Sequence, residues 1–425
     1  MVVIGYVTAN LGLGVAVRGL ITALVSKNFR VRAFDVDPGG MRTGRELGFT
    51  PILERSVDSL PAGLTIWVGG AGDLGREVLR LRSRYLRHDC YNVAAVSWEL
   101  PAFTRLDSMM LGLFDAVLAP SQFIEHAVQF DCSGVRAIYA TRCLPKFPPL
   151  PYGRLDFGLP ERGTLFVTSF DTMSDLERKN PVAVLRAFIA ALGTRENAWL
   201  VLKINNAGRR GSDEVGMRRL RAELVGFPRV IVIDREMTYQ QTLCLYASCD
   251  VYVSLHRAEG VGLALLENMA LGKPVIATAW SGNLSFMNES TSALVRYDLV
   301  PVRARAPQYR ASVLPRGARW AEPHIDHAAH WMRRLHDDPD LRRRMGRAAQ
   351  DAVDEHQRTA RACEYMRLLM ALREQHAEHP PRSTDRGARL AHYERAVNHA
   401  LVHSRMQRRA RKWLDRHLLW RFNRE

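Results

Sequence analysis

Two glutamates, Glu259 and Glu267, lie eight residues apart in DVYVSLHRAEGVGLALLENMALGKPVIATAWSGNLSFMNES, the stretch from Asp250 to Ser290. A carboxylate accepts two hydrogen bonds in one plane, which matches the vicinal hydroxyls of a sugar or a ribose. Between them, Gly260-Val261-Gly262-Leu263 opens a helix-like segment, and its glycines let backbone N–H groups approach phosphate oxygens closely. Two carboxylates beside a phosphate would repel it unless cations stood between. Arg178 and Lys179, in Asp175-Leu176-Glu177-Arg178-Lys179-Asn180-Pro181, are the candidates. Pro181 suits a first helical position, with Asn180 as the cap before it. Two cations at a helix N-terminus are locally unfavourable, which makes sense if an anion such as a diphosphate sits there. The plain readings are two helix-surface glutamates and a solvated basic turn.

Two further clusters could touch a ligand. Ser97-Trp98-Glu99-Leu100-Pro101 puts an aromatic face and a carboxylate just past a buried strand, a pairing suited to a sugar ring and its hydroxyls. The plain alternative is a tryptophan anchoring the loop and a glutamate in solvent. Asn10-Leu11-Gly12-Leu13-Gly14 follows the first strand. It lacks the complete G-x-G-x-x-G fingerprint, so Gly12 and Gly14 form either a phosphate- or sugar-approaching loop or a tight turn.

The elements that position these residues repeat. Val251–Leu255, the glycine turn, a helix to Leu271 and Val275–Thr278 read as a βαβ unit, with the polar cluster at the carboxyl end of its first strand. Open parallel sheets place ligands at that edge. In the first half, 2–8, 30–36, 64–69, 93–97, 116–119 and 135–140 read as strands, mostly separated by helices. Pro145, Pro148, Pro149, Pro151 and Pro160 then mark an extended linker. The second half repeats the pattern, with strands at 164–170, 198–204 and 229–233 and helices at 181–192, 214–224 and 239–247. The expected fold class is α/β, two doubly wound parallel-sheet (Rossmann-like) domains facing a cleft. The expected divisions are 1–150, a linker at 151–163, 164–345, helices at 346–378 and a basic helical tail at 379–425.

Composition narrows the partners. A net charge of +16 in 425 residues points to an anionic partner: nucleotide phosphates, an acidic membrane surface or nucleic acid. The six cysteines show no C-x-x-C and no paired histidine spacing, so reduced core thiols are expected and a metal site is not. The N-terminus reads as a strand rather than a signal peptide, and no uncharged apolar run approaches about 18 residues.

The run Ser254–Phe286 resembles the donor-binding motif of glycosyltransferase family 4, retaining enzymes of the GT-B fold. Trp98-Glu99-Leu100-Pro101 with Phe114–Ser121, and Ser169-Phe170-Asp171 with Arg178-Lys179-Asn180-Pro181, resemble further motifs of a subset of that family. Together they span roughly residues 2 to 360. The resemblance implies that Glu259 approaches the transferred sugar, Glu267 binds the ribose and Lys179 neutralises the diphosphate. It also implies retention without a bound metal, and a C-terminal helix crossing back to the first domain. The family commonly has an arginine five or six residues before the lysine. Here those positions hold Ser174 and Met173, leaving Arg178 as the substitute. The family's acceptor-side histidine is replaced by Trp98 and Glu99.

The expected function is hexose transfer from a nucleotide sugar, with a GDP- or UDP-sugar as donor and no other cofactor, to a glycan or lipid-linked acceptor in cell-surface polysaccharide synthesis. A non-catalytic sugar-nucleotide or glycan binder and a nucleotide-sugar epimerase remain open on the same fold. Residues 386–425 hold eleven arginines and lysines against three acidic residues, and Trp413, Leu414, His417, Leu418 and Arg421 follow helical spacing. A basic helix of this kind suits an anionic membrane surface. The expected location is therefore cytoplasmic, peripheral on the cytoplasmic membrane face. The alternative is a helix packed on the protein, and nucleic acid is not an expected partner.

Overall fold

The computed structural model describes the chain except residues 10, 37–47, 55, 57–59, 62, 82–85, 87–89, 133, 210–211, 304–313, 315–316, 359–361, 379–382 and 404–425. The first half forms a parallel six-stranded sheet of β1 (Val2–Gly5), β2 (Arg32–Asp35), β3 (Gly63–Gly70), β4 (Cys90–Ser97), β5 (Ala116–Ala119) and β6 (Arg136–Tyr139). Its order is β2-β1-β3-β4-β5-β6. Helices α1 (Gly12–Val25), α2 (Ala71–Leu81), α3 (Arg105–Leu111) and α4 (Gln122–Asp131) cover its two faces. Alternate residues feed different cores. Val2, Ile4 and Trp67 pack into one apolar layer, while Val3, Ile66 and Val93 pack into the other. A strand must be apolar on both faces to do this, which is why these runs are nearly continuous hydrophobics.

The second half repeats the plan with β7 (Thr164–Asp171), β8 (Ala198–Asn205), β9 (Val230–Asp234), β10 (Val251–Ser254), β11 (Val275–Thr278) and β12 (Ala293–Val295). The order β12-β11-β10-β7-β8-β9 is again wholly parallel. Its helices are α5 (Leu176–Lys179), α6 (Pro181–Leu192), α7 (Glu214–Leu224), α8 (Tyr239–Ser248) and α9 (Leu263–Ala270). The expectation of two doubly wound sheets holds. An antiparallel pair, β13 (Tyr297–Pro301) with β14 (Arg319–Pro323), was not anticipated from the sequence. Its Trp320 belongs to the same apolar cluster as Trp98 and Phe103 of the first half.

Four C-terminal helices follow: α10 (Ile325–Asp337), α11 (Pro339–Arg358), α12 (Ala362–Glu378) and α13 (Ser383–His403). Helix α11 starts against the second half, where a Cβ on Gly346 would meet the Gly272 carbonyl oxygen at 2.1 Å. Its far end reaches the chain leaving the first sheet. There His356 meets Thr141, and the Gln357 side chain accepts from Leu144 N–H at 3.1 Å. Met366 and Leu369 of α12 are buried in the first half's core. Helix α13 also docks there. Arg386 pairs with Asp115 at 2.5 Å, Arg389 donates to the Gly112 carbonyl at 3.0 Å, and Tyr393 is buried. The described part of the expected tail is thus packed on the protein. Trp413, Leu414, His417, Leu418 and Arg421 lie outside the described residues.

Candidate functional site

The second sheet changes direction between β7 and β10, whose following loops leave on opposite sides. Open α/β sheets form their ligand crevice at such a switch point. The loop after β7 carries Arg178 and Lys179, and the loop after β10 carries Glu259. Lys179 Nζ donates directly to Glu259 Oε1. Arg178 Nη1 lies 3.4 Å from the same oxygen and donates to the Ala258 carbonyl at 2.8 Å. Arg178 Nη2 is 3.9 Å from Glu99 Oε1, reaching across to the first half.

The local geometry differs from the expected one in an instructive way. Asp175 caps α5, its carboxylate accepting from Arg178 N–H at 3.0 Å. Arg178 and Lys179 therefore occupy the last residues of one short helix, where cations are favourable, rather than only the start of the next. Pro181 is the first residue of α6 as expected, but Asn180 precedes it at φ 53° and its side chain makes no cap bond. The left-handed Asn180 is the joint that turns the chain from α5 into α6 and leaves the two cations at the crevice.

Glu259 is buried, and burial alone would raise its carboxyl. Lys179, Arg178 and His256 outweigh that and bring it down to about 2. His256 is fully buried. Its Nε2 faces two acceptors, the Trp280 carbonyl and Asn283 Oδ1, each at 3.2 Å, which places the proton on Nε2. Nδ1 then accepts from Ser254 Oγ at 3.1 Å. The backbone of Glu259 is held at both ends. Its N–H donates to Ser281 Oγ at 2.9 Å, and its carbonyl accepts from Gly282 N–H at 2.9 Å.

Glu267 sits inside α9 and is also buried, but its neighbours differ. Burial raises its carboxyl to about 8, against the smaller opposing pull of Tyr239 and of Arg18 from the first half. Gly262, at φ 84°, precedes α9 and starts it in a conformation that favours glycine. Val261 is buried, whereas Leu263 is half-buried and packs against the cores of both halves. Gly12 faces it, with its missing Cβ 3.9 Å from Leu263 Cδ1.

Gly14 is required as a glycine by the packing around it. A Cβ there would meet the Ala9 carbonyl oxygen at 2.0 Å, so its bareness serves packing within the first half. Arg18 Nη1 ties the same loop by donating to the Val7 and Ala9 carbonyls at 3.0 and 2.9 Å. The expectation for Trp98 is corrected. Its ring is 2% exposed and stacked on Phe103 at 5.2 Å, and its Nε1–H donates to the Ala102 carbonyl at 2.9 Å. It anchors the loop and offers no face to a ligand. Glu99 stays at the cleft, with 22% of its side chain exposed.

Sequence reasoning missed Arg18, Tyr239, His256, Ser281 and Ser121. Arg18 carried a signal, being a lone cation inside the apolar α1. Ser121 stood in the Phe114–Ser121 run without a role of its own, and Ser281 carried no signal, because both act through contacts between loops. Among the described residues, no group of three or more His, Cys, Asp or Glu is placed to hold a metal ion.

Residues 163–304, which contain the β7 and β10 loops and α9, match the family model described as glycosyl transferases group 1. No curated protein sequence matches the chain. Among solved structures, sucrose-phosphate synthase from Thermosynechococcus elongatus is similar at 17% identity and a TM-score of 0.60, covering 87% of this chain and 98% of that one. A glycosyltransferase from Rickettsia africae is similar at 13% identity and 0.60, covering 87% and 97%. HepE from Anabaena, solved with UDP-glucose, is similar at 13% and 0.58, covering 88% and 100%. At these identities the likeness is one of fold. The chain thus has the GT-B architecture, and within it residues 163–304 are similar to the glycosyl transferases group 1 family.

Proposed function

We propose that this protein transfers a hexose, with retention of anomeric configuration, from a GDP- or UDP-sugar to a glycan or lipid-linked acceptor of cell-surface polysaccharide synthesis. The observation that carries the reading is the Lys179–Glu259–Arg178 cluster at the switch point of the second sheet, inside the residues that match the glycosyltransferase family. Lys179 is the cation for the diphosphate, with Arg178 behind it. The segment from Gly260 through Leu263, which leads into α9, supplies backbone N–H groups. Charge that develops on the departing phosphate is stabilised by groups already in place. Glu259 is held ionised at the sugar end, and Glu267 accepts or donates at the ribose end. Gly12, opposite Leu263, borders the donor from the first half, and Glu99 borders the acceptor.

When the bond to the anomeric carbon breaks, its electron pair leaves on the diphosphate. The acceptor oxygen attacks from the same side and its proton passes to the departing phosphate oxygen, so no covalent intermediate on Glu259 is needed. The chain's own cations carry the charge neutralisation in this scheme. An anionic membrane surface is a second proposed partner, reached by the basic residues after His403. No helix among the described residues is long and apolar enough to cross a membrane.

Thermal stabilisation by UDP-, GDP- and ADP-sugars tests the donor, because a ligand of the folded state raises its melting temperature according to affinity. One nucleotide class should stabilise the protein and support transfer to an acceptor. Stabilisation by none of them defeats the reading, and stabilisation without transfer favours a binding protein. Flotation on anionic liposomes, with the chain ended at His403 as comparison, tests the membrane contact. Equal flotation by both forms rejects it.

A further inference from the structure

Ser121 closes the motif Phe114–Ser121 noted in the sequence, and nothing in the donor chemistry above uses it. Its hydroxyl is fully buried and acts in two directions. It accepts from Ile124 N–H at 3.3 Å, capping α4, and it donates to the Gly260 carbonyl of the second half at 2.7 Å. Neighbouring contacts run the same way. Gln122 N–H donates to Ser285 Oγ at 3.2 Å, and Phe123 meets Trp280 edge-on at 5.8 Å.

The Gly260 peptide is hemmed in on both sides. A Cβ on Gly260 would lie 2.5 Å from the Trp98 carbonyl oxygen and 3.3 Å from Ile124 Cδ1. A Cβ on Gly282 would lie 1.9 Å from the Gly260 carbonyl oxygen. Glu259 N–H and its carbonyl are taken by Ser281 and Gly282, both of the second half, while the next carbonyl is taken by Ser121 of the first. The segment that carries the Glu259 carboxylate is therefore fastened partly by each half.

We propose that Ser121 is a positioning residue: its bond to the Gly260 carbonyl sets Glu259 in place only when the first half is docked on the second. This rests on the glycosyltransferase reading. Donor binding, which uses mainly groups of the second half with Gly12 at its border, would depend on Ser121 less than transfer does. Transfer, which needs the acceptor-bearing first half against a correctly placed Glu259, would depend on it.

The test uses the full chain, with the nucleotide sugar that stabilises the wild type as donor. Ser121→Ala should lower the transfer rate at saturating donor about tenfold, with donor affinity within about threefold, because an interaction made only in the assembled state shows in turnover and not in ground-state binding. Hydrogen–deuterium exchange supplies the readout that loss of a helix cap alone would not move. Exchange should rise at residues 258–262 as well as at the start of α4. Ser285→Ala, which removes only the neighbouring contact, should move both quantities in the same direction by about twofold. If Ser121→Ala fails to fold, Ser285→Ala decides alone. Unchanged exchange at 258–262, or unchanged turnover, overturns the role. If the wild type binds no nucleotide sugar, the function reading has failed instead, and rising exchange at 258–262 still supports the contact between the halves.

Discussion

Glu259 and Glu267 are the same residue type, both buried, on one strand–turn–helix unit, yet they hold opposite charge states. Glu259 is pulled down to about 2 and is ionised, whereas Glu267 is pushed up to about 8 and is mostly protonated at neutral pH. Burial pushes both upward. The difference lies in what the neighbouring loops deliver. The β7 loop brings Lys179 and Arg178 to Glu259, while the start of α8 brings the phenol of Tyr239 to Glu267 and the first half contributes Arg18. One end of the site is an ion cluster fit for an anionic leaving group. The other is an uncharged polar pocket fit for a diol.

The largest effect should come from removing the cation that makes the first end what it is. Lys179→Ala should lower turnover at least tenfold and about a hundredfold, the scale seen when one preorganised charge-stabilising group is lost. Glu259→Ala should also cost at least tenfold. Steady-state kinetics on variants checked for native circular dichroism provide the measure, and near-normal transfer by either variant would sink the assigned roles.

Next in size is a contrast in pH dependence. The folded-state value of Glu259 lies below its ordinary 4.5, so its contribution to stability is present above about 4.5 and is lost as pH falls toward 2. Glu267 is the reverse. Its folded-state value lies above 4.5, so the folded state holds a proton that the unfolded chain has released, and stability falls as pH rises from about 4.5 to 8. Glu267→Gln should remove that decline, leaving the variant a few degrees more stable than the wild type at pH 8 and equal to it near pH 4.5. Glu259→Gln should instead be less stable than the wild type at pH 7, because it leaves the buried Arg178 and the half-buried Lys179 without their counter-charge. Melting temperatures across about pH 2–8 would show both trends. Parallel curves for Glu267→Gln and wild type would remove the basis of the comparison.

The fold was readable because strand and helix periods are local. Runs such as 116–119 and 214–224 match the observed elements residue for residue. Glu259, Arg178 and Lys179 could be read together because they follow strand ends, and sheet topology brings the β7 and β10 loops together. Trp98 misled because an aromatic residue past a strand end looks the same in sequence whether it stacks on Phe103 or faces a cleft. At Gly14 the need for glycine comes from the Ala9 carbonyl behind it, which the sequence does not record. The unequal ionisation of the two glutamates was not legible, as it depends on how deeply the fold buries Glu267 away from the cations that hold Glu259 ionised. Docking of α13 was hidden because Arg386 and Arg389 count as charge in composition, yet fold against Asp115 and the end of α3.

The smallest predicted effect asks whether the charged end belongs to the second half alone. Glu99 Oε1 lies 3.9 Å from Arg178 Nη2, and Arg178 is already engaged by the Ala258 carbonyl and Glu259. The pair is long and Glu99 is partly exposed, so its electrostatic worth is at most about 1 kcal/mol. Glu99→Gln keeps the shape and hydrogen-bonding reach while removing the charge. Acceptor KM should rise about two- to fivefold, with donor affinity and kcat nearly unchanged. A tenfold or larger fall in kcat at constant acceptor KM would show instead that the first half contributes a charge to the chemical step. The ion cluster would then extend across the cleft, and its contrast with the neutral pocket at Glu267 would be a property of both halves together.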